Sequence, residues 1–84
     1  MVYISMRFSK NISMEQLQEY FDDFDCDYLS YGVNKLGWPY VYVDFDDINV
    51  EYFKDVTLKN IYEDFDCCDI FTTIYDDNID VYRR

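Results

Sequence analysis

The sequence predicts an α+β fold, an antiparallel sheet with helices on one face only, and three observations carry that prediction. Apolar and polar residues alternate over the first eight positions, a capped stretch of helical periodicity follows, and the same helical stripe recurs forty-one residues later with the same ending. Val2, Ile4, Met6 and Phe8 are separated by Tyr3, Ser5 and Arg7, the period of two that gives a strand one buried face. Ile12-Ser13-Met14-Glu15-Gln16-Leu17 then reads as a helix start. Ser13 is its N-cap, Gln16 its capping-box partner, and Ile12 against Leu17 its hydrophobic staple. Leu17, Tyr20, Phe21 and Phe24 fall at i, i+3, i+4 and i+7, one stripe turned to the core.

The stripe returns as Leu58, Ile61, Tyr62 and Phe65, and Asp23-Phe24-Asp25-Cys26 is matched by Asp64-Phe65-Asp66-Cys67. Strand alternation follows each helix, as Leu29, Tyr31 and Val33 after the first and Ile70, Thr72 and Ile74 after the second. Ahead of the second helix, Val41, Val43 and Phe45 form one face of a strand over residues 40–46. We read an internal duplication of strand, helix, strand, about residues 1–35 and 38–76, within a single domain spanning 1–84. Joined by a turn at Asn34-Lys35-Leu36-Gly37, the two units give βαββαβ, a ferredoxin-like split βαβ sandwich whose antiparallel sheet carries both helices on one face. A fifth strand over 79–83 is expected to fold back after the Asp76-Asp77-Asn78 turn. Two readings stand for residues 47–57: Asn49 caps a helix running through to Asp64, or a short turn precedes a helix starting near Thr57.

Composition bounds the rest. Eighteen Asp and Glu against seven Lys and Arg leave the chain at net −11, yet it holds ten Tyr, seven Phe and one Trp, and half its residues are apolar. Acidic tails that stay disordered are poor in aromatics, so this chain is expected to fold with a strongly anionic surface. Its length allows one domain, and each inward ring buries about 150–250 Å². Cys26, Cys67 and Cys68 are an odd set with two adjacent, and His is absent, which fits neither a disulfide framework nor a zinc set and suits free thiols in a reducing cytoplasm. The first residues lack a leader pattern and no uncharged apolar run is long enough for a bilayer. The expectation is a soluble, cytoplasmic protein with no membrane partner.

Residues out of phase with the core set should line the uncovered side of the sheet. They are Tyr3, Ser5 and Arg7, then Tyr28 and Ser30, then Tyr40, Tyr42, Asp44 and Asp46, with Asp80 and Tyr82 from the last strand. Tyr suits strands, and cross-strand ring pairs alone justify several of these; Tyr is also a frequent anchor of protein interfaces. RNA-recognition modules stack bases on aromatics of this same fold. A phosphate backbone needs a basic groove, however, and this face offers Arg7 amid carboxylates. Direct nucleic-acid binding is not expected.

Catalytic and metal chemistry find little support. Asp23-Phe24-Asp25-Cys26-Asp27 opens like a calcium loop, but Tyr28 stands where the sixth-position Gly belongs and Asn34 where the bidentate Glu belongs. No His is present to act as base, the only glycines are Gly32 and Gly37, and no Ser or Cys has an activating partner. Cys67 and Cys68 lie among Asp64, Asp66 and Asp69, whose field raises thiol pKa. Acylphosphatases share the expected fold, but their Arg-bearing, Gly-rich phosphate loop is missing between Phe8 and Ser13. The sequence predicts no enzyme, no cofactor and no metal.

The carboxylates fall in clusters: Asp22-Asp23-x-Asp25-x-Asp27, Asp44-x-Asp46-Asp47, Glu63-Asp64-x-Asp66-x-x-Asp69 and Asp76-Asp77-x-x-Asp80. Set on a small aromatic-rich body, this pattern resembles the acidic nucleic-acid mimics of phages and mobile elements, among them anti-CRISPR proteins, anti-restriction proteins and inhibitors of DNA-repair glycosylases. The resemblance is compositional and covers the whole chain. It implies an inhibitor, monomer or weak homodimer, whose carboxylates take the place of phosphates in the basic channel of a nucleic-acid-binding protein or nuclease complex. Same-face strand residues lie about 6.8 Å apart, so Asp44 and Asp46 would echo consecutive phosphates. A net charge of magnitude about 2–8 suffices for solubility in a small domain, and this chain exceeds it. The alternative is an interaction module, antitoxin-like or a complex subunit, using the Tyr face. Partner-binding candidates are Tyr3, Tyr28, Tyr40 and Tyr42 with Asp44, Asp46 and Asp47 around the third strand, Asp22, Asp23, Asp25 and Asp27 after the first helix, and Asp76, Asp77 and Asp80 near the last turn.

Overall fold

Antiparallel pairing of β1 (Val2–Arg7) with both β3 (Pro39–Phe45) and β4 (Phe71–Asp76) makes the first strand the centre of the sheet. A computed structural model of the chain describes residues 1–65, 69–76 and 82–83, with Asp76, Tyr82 and Arg83 described by backbone only. β2 (Tyr28–Val33) pairs with β3, and β5 (Tyr82–Arg83) with β4, giving the order β2-β3-β1-β4-β5. This is the ferredoxin-like arrangement the sequence predicts, with the fifth strand added at one edge. Cys67, Cys68, Asp77 and Asp80 lie outside the described residues, as do positions 79–81 of the expected last strand.

Alternation decides the faces. Val2, Ile4 and Met6 of β1, Val41, Val43 and Phe45 of β3, and Thr72 and Ile74 of β4 are buried under the helices. α1 (Met14–Phe21) starts as expected: Ser13 Oγ accepts from Gln16 N–H at 3.1 Å, and Gln16 Oε1 accepts from Ser13 N–H at 2.9 Å. Ile12 and Leu17, the two members of the staple, are both buried. The helix is shorter than its apolar stripe suggests. It ends at Phe21, so Phe24 lies in the following loop, half-buried against Phe21 and Phe45 at ring-centroid distances of 5.3 and 6.3 Å. Tyr20 is more than a third exposed, its hydroxyl donating to Asp64.

The second helix takes the longer of its two readings. Asn49 Oδ1 accepts from Tyr52 N–H at 3.0 Å, α2 (Val50–Tyr52) opens the helix, and α3 (Lys59–Asp64) closes it. Between them, Phe53–Leu58 is π-helical. The reason is a slip in phase: Phe53 and Leu58 are both buried, but five residues at about 100° each would set them about 140° apart in an α-helix. The wider i→i+5 turn absorbs the surplus residue and returns both to the core face. Leu58, Ile61 and Phe65 then continue that face, with Tyr62 half-buried beside it.

Two corrections concern β2. Leu29 and Tyr31 are only half-buried and Val33 is 57% exposed, because β2 is an edge strand and no described residue pairs along its outer side. The hairpin that follows is as expected: Gly37 takes φ +83°, its N–H donates to Asn34 C=O at 3.0 Å, and Asn34 Oδ1 accepts from the N–H groups of Leu36 and Trp38.

Candidate protein-binding surface

Strand register arranges the uncovered face in rows. Tyr28, Asp44, Tyr3 and Tyr75 form one, Ser30, Tyr42, Ser5 and Thr73 the next, and Gly32, Tyr40, Arg7 and Phe71 the third. The structure thus brings Tyr3, Tyr28, Tyr40, Tyr42 and Asp44 together, as expected from the alternation. Tyr42 packs near Tyr3 and Tyr28, both at 6.4 Å between centroids, and Tyr3 lies 6.0 Å from Tyr75. Tyr40 lays its ring over Gly32, where a Cβ would come within 2.2 Å of the hydroxyl; the glycine is the space the ring occupies. Phe71, Thr73 and Tyr75 belong to the same surface and were not among the sequence candidates. The out-of-phase rule applied to β1 and β3 finds them when it is applied to β4.

Among the described residues, Arg7 lies against aromatic rings rather than carboxylates. Its guanidinium carbon sits 4.8 Å from the Trp38 ring centroid and 5.1 Å from that of Phe71, two cation–π contacts two rows away from Asp44. It forms the floor of a shallow depression of about 290 Å³, with Ser5, Asn34, Tyr40, Phe71 and Thr73. Asp44 is half-buried, and the Tyr42 hydroxyl donates to it. Burial first, and then this bond and the negative charge of Asp44, push the Tyr42 hydroxyl up to about 12. Tyr20 is likewise pushed up to about 12, by burial and by its bond to Asp64.

Both tyrosines are held protonated by the fold, so their contribution to stability is whole below about pH 10 and is lost as pH rises from 10 towards 12. An ultraviolet tyrosinate titration should show a late-ionising component near pH 12 that shrinks in Tyr42→Phe and in Tyr20→Phe. A titration of wild type complete by about pH 10.5, near the ordinary phenol value, would contradict both bonds.

The acidic candidates gather elsewhere, at the end of the sheet where β2 begins and β3 stops. Asp22 and Asp23 close α1, Asp25 and Asp27 lead into β2, and Asp46 and Asp47 follow β3; all are exposed. Asp27 Oδ2 accepts from Asp46 N–H at 2.7 Å and Asp27 N–H donates to Asp44 C=O at 2.9 Å, tying the two loops together. Asp25, Asp27 and Asp47 rim a cavity of about 490 Å³ floored by Phe24, Phe45 and Phe53. β3 ends at Phe45, so Asp46 lies past the strand, and Asp44 with Asp46 do not form a two-carboxylate strand row. Of Asp76 the backbone closes β4 at this same end, opposite Val2.

Cys26 borders the cavity, its thiol pushed up by burial and by Asp27 and Asp25. Among the described residues no group of three or more His, Cys, Asp or Glu side chains is placed to hold a metal ion, and no helix is long and apolar enough to cross a membrane. In comparisons with known proteins, no family model, no curated protein and no solved structure matches the chain.

Proposed function

We propose that the protein is an acidic binding module that inhibits a nucleic-acid-handling protein by docking its acidic end into that partner's basic site. The observation that supports this reading is the convergence of Asp22, Asp23, Asp25, Asp27, Asp46 and Asp47, all exposed, on two hydrogen-bonded loops. Residues 22–27 and 46–49 include no Lys or Arg to offset them. A carboxylate surface of this kind steers a cationic partner and repels DNA, RNA and anionic lipid. In this reading the loops, rather than a strand row, supply the phosphate-like charges.

A second reading has its own observation. Tyr28, Phe71 and Tyr75 are 56%, 46% and 46% exposed on the uncovered sheet face, and large exposed rings are typical anchors of protein interfaces. An interaction module using this face is independent of charge.

The test uses the partner recovered by affinity capture and compares wild type with the Asp22→Asn, Asp23→Asn, Asp46→Asn, Asp47→Asn variant. Its association rate should fall about tenfold or more at low salt, with a flatter salt dependence, because steering raises on-rates by about 10–10³. The partner's nucleic acid should compete with wild type. Association indifferent to salt from about 50 to 500 mM, together with faster dissociation of Tyr28→Ala and Tyr75→Ala, would reject the acidic end in favour of the aromatic face.

A further inference from the structure

β2 closes the sheet on one side, and no described residue pairs with its outer edge. The direction of its backbone groups follows from the hairpin. Asn34 N–H donates to Trp38 C=O, so the opposed pairs Gly32–Tyr40, Ser30–Tyr42 and Tyr28–Asp44, at steps of two residues, exchange the hydrogen bonds with β3. The N–H and C=O groups of Leu29, Tyr31 and Val33 therefore point away from the sheet. Edge strands are usually blunted by Lys, Pro, a bulge or brevity. β2 reads Tyr-Leu-Ser-Tyr-Gly-Val over six residues, with no charge and no proline.

We propose that β2 is a self-association edge, pairing antiparallel with β2 of a second copy about a two-fold axis at Tyr31. This inference does not depend on the acidic-end reading, although its register draws on Asp25 and Asp27 of that end. An axis at Tyr31 sets Leu29 of each copy opposite Val33 of the other, so every outward N–H meets an outward C=O, as an isologous contact requires. Faces agree as well: Leu29, Tyr31 and Val33 meet their counterparts on the helix side, where Leu29 and Tyr31 are half-buried and Val33 is exposed, and Ser30 meets Gly32 on the open side. Moving the axis to Ser30 would set Val33 against Asp27, whose N–H is already donated to Asp44. The Tyr31 register also brings Lys35, in the hairpin of one copy, alongside Asp25 and Asp27 of the other. That complementarity selects a second copy over a generic strand, against the long-range repulsion of two chains at net −11 each.

The experiment is sedimentation equilibrium on the full chain at about 150 mM salt, where the screening length is about 8 Å, combined with amide hydrogen exchange at low and high protein concentration. Wild type should shift from monomer to dimer mass as concentration rises, and the amides of Leu29, Tyr31 and Val33 should gain protection with it. Val33→Pro removes an outward N–H at an exposed position and should leave the fold intact while weakening the dimer at least tenfold. Lys35→Glu, fully outside the core, should weaken it severalfold. Wild type that stays monomeric to about 1 mM, a concentration at which even a weak dimer with a dissociation constant of about 1 mM is half formed, overturns the proposal. So does a dimer whose mass is unchanged in both variants or whose β2 amides stay unprotected.

Discussion

Phe8→Ala should lower the unfolding free energy by about 3–5 kcal/mol, the usual cost of truncating a buried Phe. Phe8 has no solvent exposure, and its ring stands edge-on to Phe21 at 6.2 Å and to Phe65 at 5.0 Å. It therefore joins the end of α1, the end of α3 and the exit from the central strand in one contact, and the void left by Ala cannot be filled from any one element alone. A domain of this length holds about 4–13 kcal/mol in total, at roughly 0.05–0.15 kcal/mol per residue. The loss is accordingly a large share of what exists. Urea unfolding followed by tyrosine fluorescence reads it directly, with Phe24→Ala, half-buried in a loop, as the smaller comparison. An unchanged midpoint for Phe8→Ala would mean that the aromatic junction is not part of the core.

Tyr62→Phe should cost about 1–3 kcal/mol, although it removes a single oxygen. The Tyr62 hydroxyl lies 2.7 Å from the Thr72 hydroxyl, and Thr72 is fully buried on the helix-facing side of β4. Removing the partner strands a polar group away from water, whereas replacing both members with shapes of the same size does not. The double variant Tyr62→Phe, Thr72→Val should recover much of the loss. If thermal melts place the double variant below Tyr62→Phe, the pair is not the unit of stability described.

What could be read from the sequence was what local periodicity encodes. The alternation in β1 and β3, the Ser13 cap and the Gly37 turn each depend on residues within a few positions, and each appears as expected. The exposure of β2 depends on strand order, which no local pattern contains, so alternation alone points Val33 to the core. Phe24 kept helical spacing because it packs on Phe21, yet it does so from a loop. Two readings stand for residues 47–57 because the surplus residue between Phe53 and Leu58 breaks the 3.6-residue rhythm within the helix. In the candidate site, the tyrosines of β1 to β3 followed from alternation. Gathering the carboxylates of residues 22–27 with those of 46–47 required the βαββαβ connection, which brings the end of α1 and the end of β3 to one edge.

That surplus residue makes the second helix resemble a crystal with a dislocation. An extra row has been inserted, and the lattice on either side is regular but displaced. A dislocation stays where something pins it, and here the pins are Phe53 and Leu58, each of which leaves the core if the defect moves past it. The short opening turn, Val50–Tyr52, and the acidic loop before it are thus registered to the rest of the helix across the defect, and Phe53 is what holds that registration to the sheet through its contact with Phe45 at 6.0 Å.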